Sequence, residues 1–287
     1  MRGHCVQRPC AGRVRAFAIR ALNANRSTLE ALNVLLAVVL ASCRSGPVAP
    51  YQARDAALRR QPLLFYPARH VPARAFILLL GNDVGFWKPH QELAWRLAGD
   101  GYDVVGLDIK KYLARLPAGE PRRDSSFAVN IDPLIARARH ELGADTLPAI
   151  VGGHSFGAEV AFWIAEHHPP PGLVGVLAMS PRSTGHLIVT PFDLLNHEAS
   201  GPYAFSTIGA ARAIAPAVRI ALVRGASDPF ARYDTAFARA GGERFRYYHV
   251  PFAGHSLQRL VIAGPMVEHA VGFLLEDAEC RKRAVTR

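Results

Sequence analysis

"AIVGGHSFGAEVAFWIAEHHPP", residues 149–170, decides how the rest of the chain is read. An apolar run climbs into Gly152-Gly153, a lone serine follows, and a helix-like pattern begins at once. Gly153-His154-Ser155-Phe156-Gly157 is a G-x-S-x-G pattern standing between a strand and a helix. Such a turn strains the backbone at the serine, and the small residues beside it let strand and helix approach closely. The hydroxyl is then held out at the edge of a sheet. The first N–H groups of the helix face the same spot and favour developing negative charge. Five residues alone are a weak signal, so the reading depends on what surrounds them.

Working outward, strands and helices alternate. Apolar runs predict strands at 75–81 (AFILLLG), 102–108 (YDVVGLD), 148–153 (PAIVGG), 173–180 (LVGVLAMS), 218–225 (VRIALVRG) and 245–251 (FRYYHVP). Helical spacing predicts helices over 89–101, 124–142 (despite Pro133), 157–168, 229–242 and 257–275. This rhythm implies a mainly parallel sheet with helices on both faces, spanning 61–287. Residues 181–216 break the rhythm with Gly, Pro and Ser and read as a small cap or insertion after the sixth strand. In open α/β sheets the site lies beyond the carboxyl ends of the strands.

A serine hydroxyl is a poor nucleophile without a base, and this fold supplies the partners in the order serine, acid, histidine. "ASDPF" after the strand at 218–225 places Asp228 at a strand end, and "FAGHS" after the strand at 245–251 places His255 at the next. Ser155, Asp228 and His255 therefore form the expected nucleophile, acid and base of a serine hydrolase acting on carboxylic esters. Among competitors, His154 fills space in the elbow, His167 and His168 end a helix, His249 lies within a strand, and Asp234 falls mid-helix. Two donors must meet the oxyanion. The backbone N–H of Phe156 is one, and the loop "GNDVGFW" at 81–87 offers the backbone N–H of Asn82 as the other, with Asp83 second.

The N-terminus has its own pattern. "ALNVLLAVVLASC", residues 31–43, is an apolar stretch too short to span a bilayer comfortably, behind Arg20 and Arg26. It reads as a leader over 1–43 whose ending, Leu40-Ala41-Ser42-Cys43, is similar to a bacterial lipobox and would make Cys43 the acylated first residue. Residues 44–60 read as a tether. Cleavage before Cys43 would remove six arginines and one glutamate, reducing the net charge from +11 to +6. Cys280 would then be the one unmodified cysteine, which excludes a disulfide framework. A basic surface suits an anionic membrane, although an ordinary exported protein could carry the same charge. The arginines are scattered and do not interleave with aromatics, so no nucleic-acid partner is expected. No metal-ligand spacing occurs, and neither metal nor cofactor is expected.

The residues also resemble the VirJ/AcvB family of bacterial envelope virulence proteins. The likeness runs through "LLLGNDVGFWKPHQELAWRLAGDGYDVVGLDIKKYL", "VGGHSFGAEVAFWIA" and "FAGHS". His154 stands where the family usually has tyrosine, and the first loop is longer and less glycine-rich than the family's G-D-G-G-W. The resemblance implies an α/β-hydrolase domain that hydrolyses aminoacylated phospholipid, notably the lysyl ester of phosphatidylglycerol, in the cell envelope. It also leaves open a secretion-accessory role, and the residues alone leave open a general carboxylesterase. A lysyl head group should meet a carboxylate, for which Asp83 and Asp108 at strand ends are the candidates. The cap stretch "STGHLIVTPFDLLN", 183–196, has the apolar content to line an acyl groove or dip toward lipid, or equally to pack as core.

Overall fold

The computed structural model describes residues 49–285, apart from 71, 118, 196 and 257–265. The expected leader with Cys43, the start of the tether and the start of the expected last helix lie outside the described residues.

Short helix α1 (Ala56–Arg59) leads into β1 (Leu63–Tyr66), then β2 (Phe76–Leu80), helix α2 (Lys88–Gly99), β3 (Asp103–Leu107) and helices α3 (Ile109–Leu113) and α4 (Glu120–Leu142). Next come β4 (Ala149–His154), helix α5 (Phe156–His167) and β5 (Leu173–Met179). β6 (Thr184–Gly185), α6 (Pro191–Leu194), β7 (Phe205–Ser206) and α7 (Thr207–Ala213) precede β8 (Arg219–Gly225), α8 (Asp234–Gly241), β9 (Phe245–Val250) and α9 (Met266–Val285). Seven strands form one sheet in the order β1-β3-β2-β4-β5-β8-β9. β1 is antiparallel to β3, and the remaining pairings are parallel.

The continuous apolar strands are explained by two cores. Phe76, Leu78 and Leu80 of β2 join a cluster under α4, α5, α7 and α8, while Ile77 and Leu79 join a second cluster under α2 and α9. Successive side chains of a strand point to opposite faces, so a strand buried on both sides can spare no position for a polar residue. Each such side chain contributes about 2 kcal/mol on leaving water.

Several expectations need correction. Residues 51–60 are not a loose tether: Tyr51 pairs with Phe65, and Leu58 is buried in the first core cluster. β1 is not among the expected strands, although its four residues form a short apolar run between Pro62 and Pro67. α4 starts at Glu120 with a proline in its first turn, where a missing N–H costs nothing, and it ends on Gly143 at φ 67°. The insertion follows the fifth strand, β5, rather than the sixth. Its last stretch, from Thr207 on, is not cap, since Ala210, Ala211 and Ile214 are buried in the first cluster, making α7 an ordinary crossover helix. The cap proper is the β6/β7 pair and α6. Leu187 joins the core, whereas Phe192, Leu194 and Leu195 are exposed.

Candidate active site

The elbow is built as its glycines require. Ser155 sits at φ 53°, ψ −121°, a left-handed conformation that costs free energy in a residue with a side chain. A Cβ on Gly157 would lie 2.1 Å from the Gly81 carbonyl oxygen, and one on Gly153 would lie 2.4 Å from the Gly157 carbonyl carbon. Neither position has room for a methyl group. Helix α5 thus starts directly against the end of β2, which carries the loop expected to supply the second oxyanion donor.

The loops after β8 and β9 deliver the other two groups as one stitched unit. The Ala226 N–H donates to the Val250 carbonyl at 3.0 Å, and the Ser227 N–H to the Ala253 carbonyl at 2.8 Å. A Cβ on Gly225 would stand 2.3 Å from the Gly254 carbonyl oxygen, so this approach also needs glycine. Ser155, His255 and Asp228 lie in a hydrogen-bonded row. Nε2 of His255 is 2.8 Å from Ser155 Oγ, and Nδ1 is 3.2 Å from Asp228 Oδ2. The Phe230 N–H donates to Asp228 Oδ1 at 3.0 Å, and Arg224 Nη1 donates to Oδ2 at 3.1 Å. Burial works to raise the Asp228 carboxyl, but the His255 hydrogen bond and charge, with Arg224, bring it down to about 2. It is therefore ionised at any pH where the chemistry would run.

Around this row the structure departs from the sequence reading. The Asn82 N–H is turned into its own loop, donating to the Gly85 carbonyl at 3.3 Å. Asn82 Oδ1 accepts from the Val84 and Gly85 amides at 3.1 and 3.3 Å, an Asx turn that fixes this geometry. The Asp83 amide faces its own carboxylate. Phe156 is the first residue of α5, so its N–H has no intrahelical carbonyl to bond. Asp83 is buried, and its carboxyl is raised by burial, against which its own amide, Arg182 and His255 pull down. Asp108 is otherwise occupied: it caps α3 through the Lys111 N–H at 3.0 Å and pairs with Lys111 Nζ at 3.0 Å. Asp234 begins α8 rather than sitting in its middle, and it binds Arg224 Nε at 2.6 Å.

Three residues escape the sequence reading. Arg224, fully buried, bridges Asp228, Asp234 and the Pro181 carbonyl. Glu159, one turn into α5, holds Arg182 through Nε at 2.6 Å and Nη2 at 2.9 Å. Arg182 in turn binds Asp193 of α6 at 2.8 Å, and Asp193 is 3.1 Å from His186 Nε2. This buried cluster clamps the cap onto α5. Burial raises the Glu159 carboxyl, with Arg182 opposing. A cleft of about 330 Å³ within the cap is lined by residues such as His186, Thr190, Phe192, Asp193, His197 and Glu198. A larger one of about 470 Å³ lies between α1 and α4, and neither cleft is lined by Ser155, Asp228 or His255. Among the described residues no cluster of three or more His, Cys, Asp or Glu is placed to hold a metal ion.

No family model and no curated protein matches the chain. Solved structures do resemble it. The protein TT1662 of Thermus thermophilus is 20% identical with a TM-score of 0.55, over 79% of this chain and 98% of that one. A thermostable carboxyl esterase from Bacillus coagulans is 11% identical with a TM-score of 0.52, over 79% and 98%. An alpha-beta serine hydrolase homologue from Coxiella burnetii is 10% identical with a TM-score of 0.51, over 78% and 97%. At such identities the likeness is one of architecture, and with the parallel sheet and the elbow after β4 it gives the chain the α/β-hydrolase fold.

Proposed function

We propose that this protein is a serine hydrolase of carboxylic esters, with Ser155 as nucleophile, His255 as general base and acid, and Asp228 as the orienting carboxylate. The observation that carries this reading is the unbroken row Ser155–His255–Asp228 at 2.8 and 3.2 Å, with the serine held at φ 53°. Oγ attacks the ester carbonyl carbon as His255 Nε2 takes its proton. The tetrahedral oxyanion meets the helix-start N–H of Phe156, and a donor from the 81–87 loop joins it once the Asn82 or Asp83 amide is released. Collapse expels the alcohol, which receives the proton back from His255. Water then attacks the acyl-serine by the same route, releasing the acid and restoring the hydroxyl.

The finer reading is an envelope enzyme, tethered through acylated Cys43, that acts on aminoacyl phosphatidylglycerol at an anionic membrane surface. The resemblance to the VirJ/AcvB family motivates it. Two features support it. The buried Asp83 carboxylate interacts electrostatically with His255, and the arrival of an ammonium group would offset its burial. Val84 and Phe252, from loops at the carboxyl edge of the sheet, and Phe192 and Leu195, from the cap helix α6 and its end, are exposed apolar side chains suited to lipid.

The test uses wild-type protein and Ser155→Ala with a fluorophosphonate probe, a short soluble ester and vesicles containing lysyl-phosphatidylglycerol. A Ser155-dependent adduct with lysine release is the expected result. An adduct with cleavage of the short ester alone rejects the lipid assignment and leaves a general carboxylesterase. Absence of any Ser155-dependent adduct rejects the hydrolase and favours a secretion-accessory or binding role.

A further inference from the structure

His154 occupies the position of the elbow that the turn itself leaves free, yet it is buried and engaged. Its Nε2 lies 2.8 Å from the main-chain carbonyl oxygen of His255. A carbonyl only accepts, so Nε2 carries the proton and Nδ1 is left as an acceptor, buried and without a hydrogen-bond partner among the described residues. Among those residues this is the one hydrogen bond made to the main chain of His255. The preceding stitch to the β8 loop ends at Ala253.

We propose, on the serine-hydrolase reading above, that His154 is a positioning residue for His255. Its N–H fixes the carbonyl of residue 255 and with it the direction in which the imidazole leaves the chain, so that Nε2 stays on Ser155 Oγ. The nucleophile's own strand thereby holds the base that activates it. Burial suits the ring to this role, because it holds His154 down to about 3, with the His255 and His90 charges adding to the effect. The ring is therefore neutral when His255 becomes an imidazolium, and no second cation forms beside it at a ring separation of 5.4 Å. His90 packs on the far side, its ring 6.0 Å from that of His154, and its Nδ1 accepts from the Trp87 N–H. The support thus reaches back to the end of the 81–87 loop.

The experiment compares full-length wild type, His154→Phe and His154→Gln in steady-state hydrolysis of a short soluble ester, in the rate of fluorophosphonate labelling, and in thermal melting. A displacement near 1 Å at a reacting group costs on the order of 100-fold. His154→Phe is expected to lower kcat and the labelling rate by about 10- to 100-fold with KM and Tm little changed. His154→Gln, whose amide N–H can reach the same carbonyl, should recover most of both rates. Wild-type kcat in His154→Phe overturns the proposal, as does a Gln variant as slow as the Phe variant, which would assign the effect to ring packing. If His154→Phe does not melt cooperatively, His154→Asn takes its place, its amide too short to reach; equal rates for Gln and Asn then overturn the proposal. Wild-type protein that is not labelled at Ser155 sinks the hydrolase reading instead, so the two failures are distinct.

Discussion

Acidification should destabilise this fold through two buried histidines, and the size of the effect follows from their surroundings. Burial holds His90 down to about 4 and His154 down to about 3, against an ordinary value of 6.5. Below pH 6.5 the unfolded chain gains a proton at each site while the folded chain does not. Stability is therefore complete above 6.5 and is lost as pH falls toward the folded values. Each unmatched proton is worth about 1.4 kcal/mol per pH unit. Allowing for gradual titration, each histidine costs about 2 kcal/mol between pH 7.5 and 5, and the pair about 4. That is a large share of the roughly 5–15 kcal/mol that holds a domain together. Buried carboxyls with raised values, among them Asp83, Asp103 and Asp234, act with the opposite sign, because the folded chain keeps their protons longer. Urea unfolding at several pH values, repeated on His90→Phe and His154→Phe, isolates the histidine contribution by difference. Each variant should lose about 2 kcal/mol less than wild type over this interval. A His90→Phe protein whose stability falls as steeply as wild type would refute the reasoning.

Two further outcomes are expected. Gly157→Ala must part α5 from the end of β2, where its Cβ would meet the Gly81 oxygen at 2.1 Å, and should cost about 3 kcal/mol in urea unfolding along with most activity; a loss under about 1 kcal/mol would mean the contact is easily relieved. Glu159→Gln strips the buried Arg182 of one carboxylate and should cost about 3 kcal/mol by the same assay; a loss under about 1 kcal/mol would mean that Asp193 alone suffices to hold the guanidinium.

The architecture is legible because strands buried on both faces announce themselves as unbroken apolar runs, and because the elbow's glycines mark a contact with no room for a side chain. Asp228 and His255 can be chosen by the position of their loops alone. What escapes has a common cause. The His154 bond reaches a main-chain carbonyl 101 residues away, and Arg182 meets Glu159 across 23, separations that leave no local pattern. The Asn82 amide misleads for the opposite reason: a side chain bonding its own loop two and three residues on can redirect an N–H, and "GNDVG" does not show which way it turns. α7 reads as cap because Gly, Pro and Ser dominate what precedes it, although its alanines pack against the core.

The ion cluster at Arg182 bears on how a substrate gets in. A hinged cap could admit a ligand by swinging open. Here such a swing would tear Asp193 from an arginine whose side chain is only 1% exposed. Arg182 would keep Glu159, so the loss is one charged hydrogen bond worth about 1.5–3 kcal/mol, which leaves roughly one molecule in ten to one in a hundred and fifty ajar at any instant. The roof should therefore rest shut in most molecules, and severing this one tie should multiply the share that stands open.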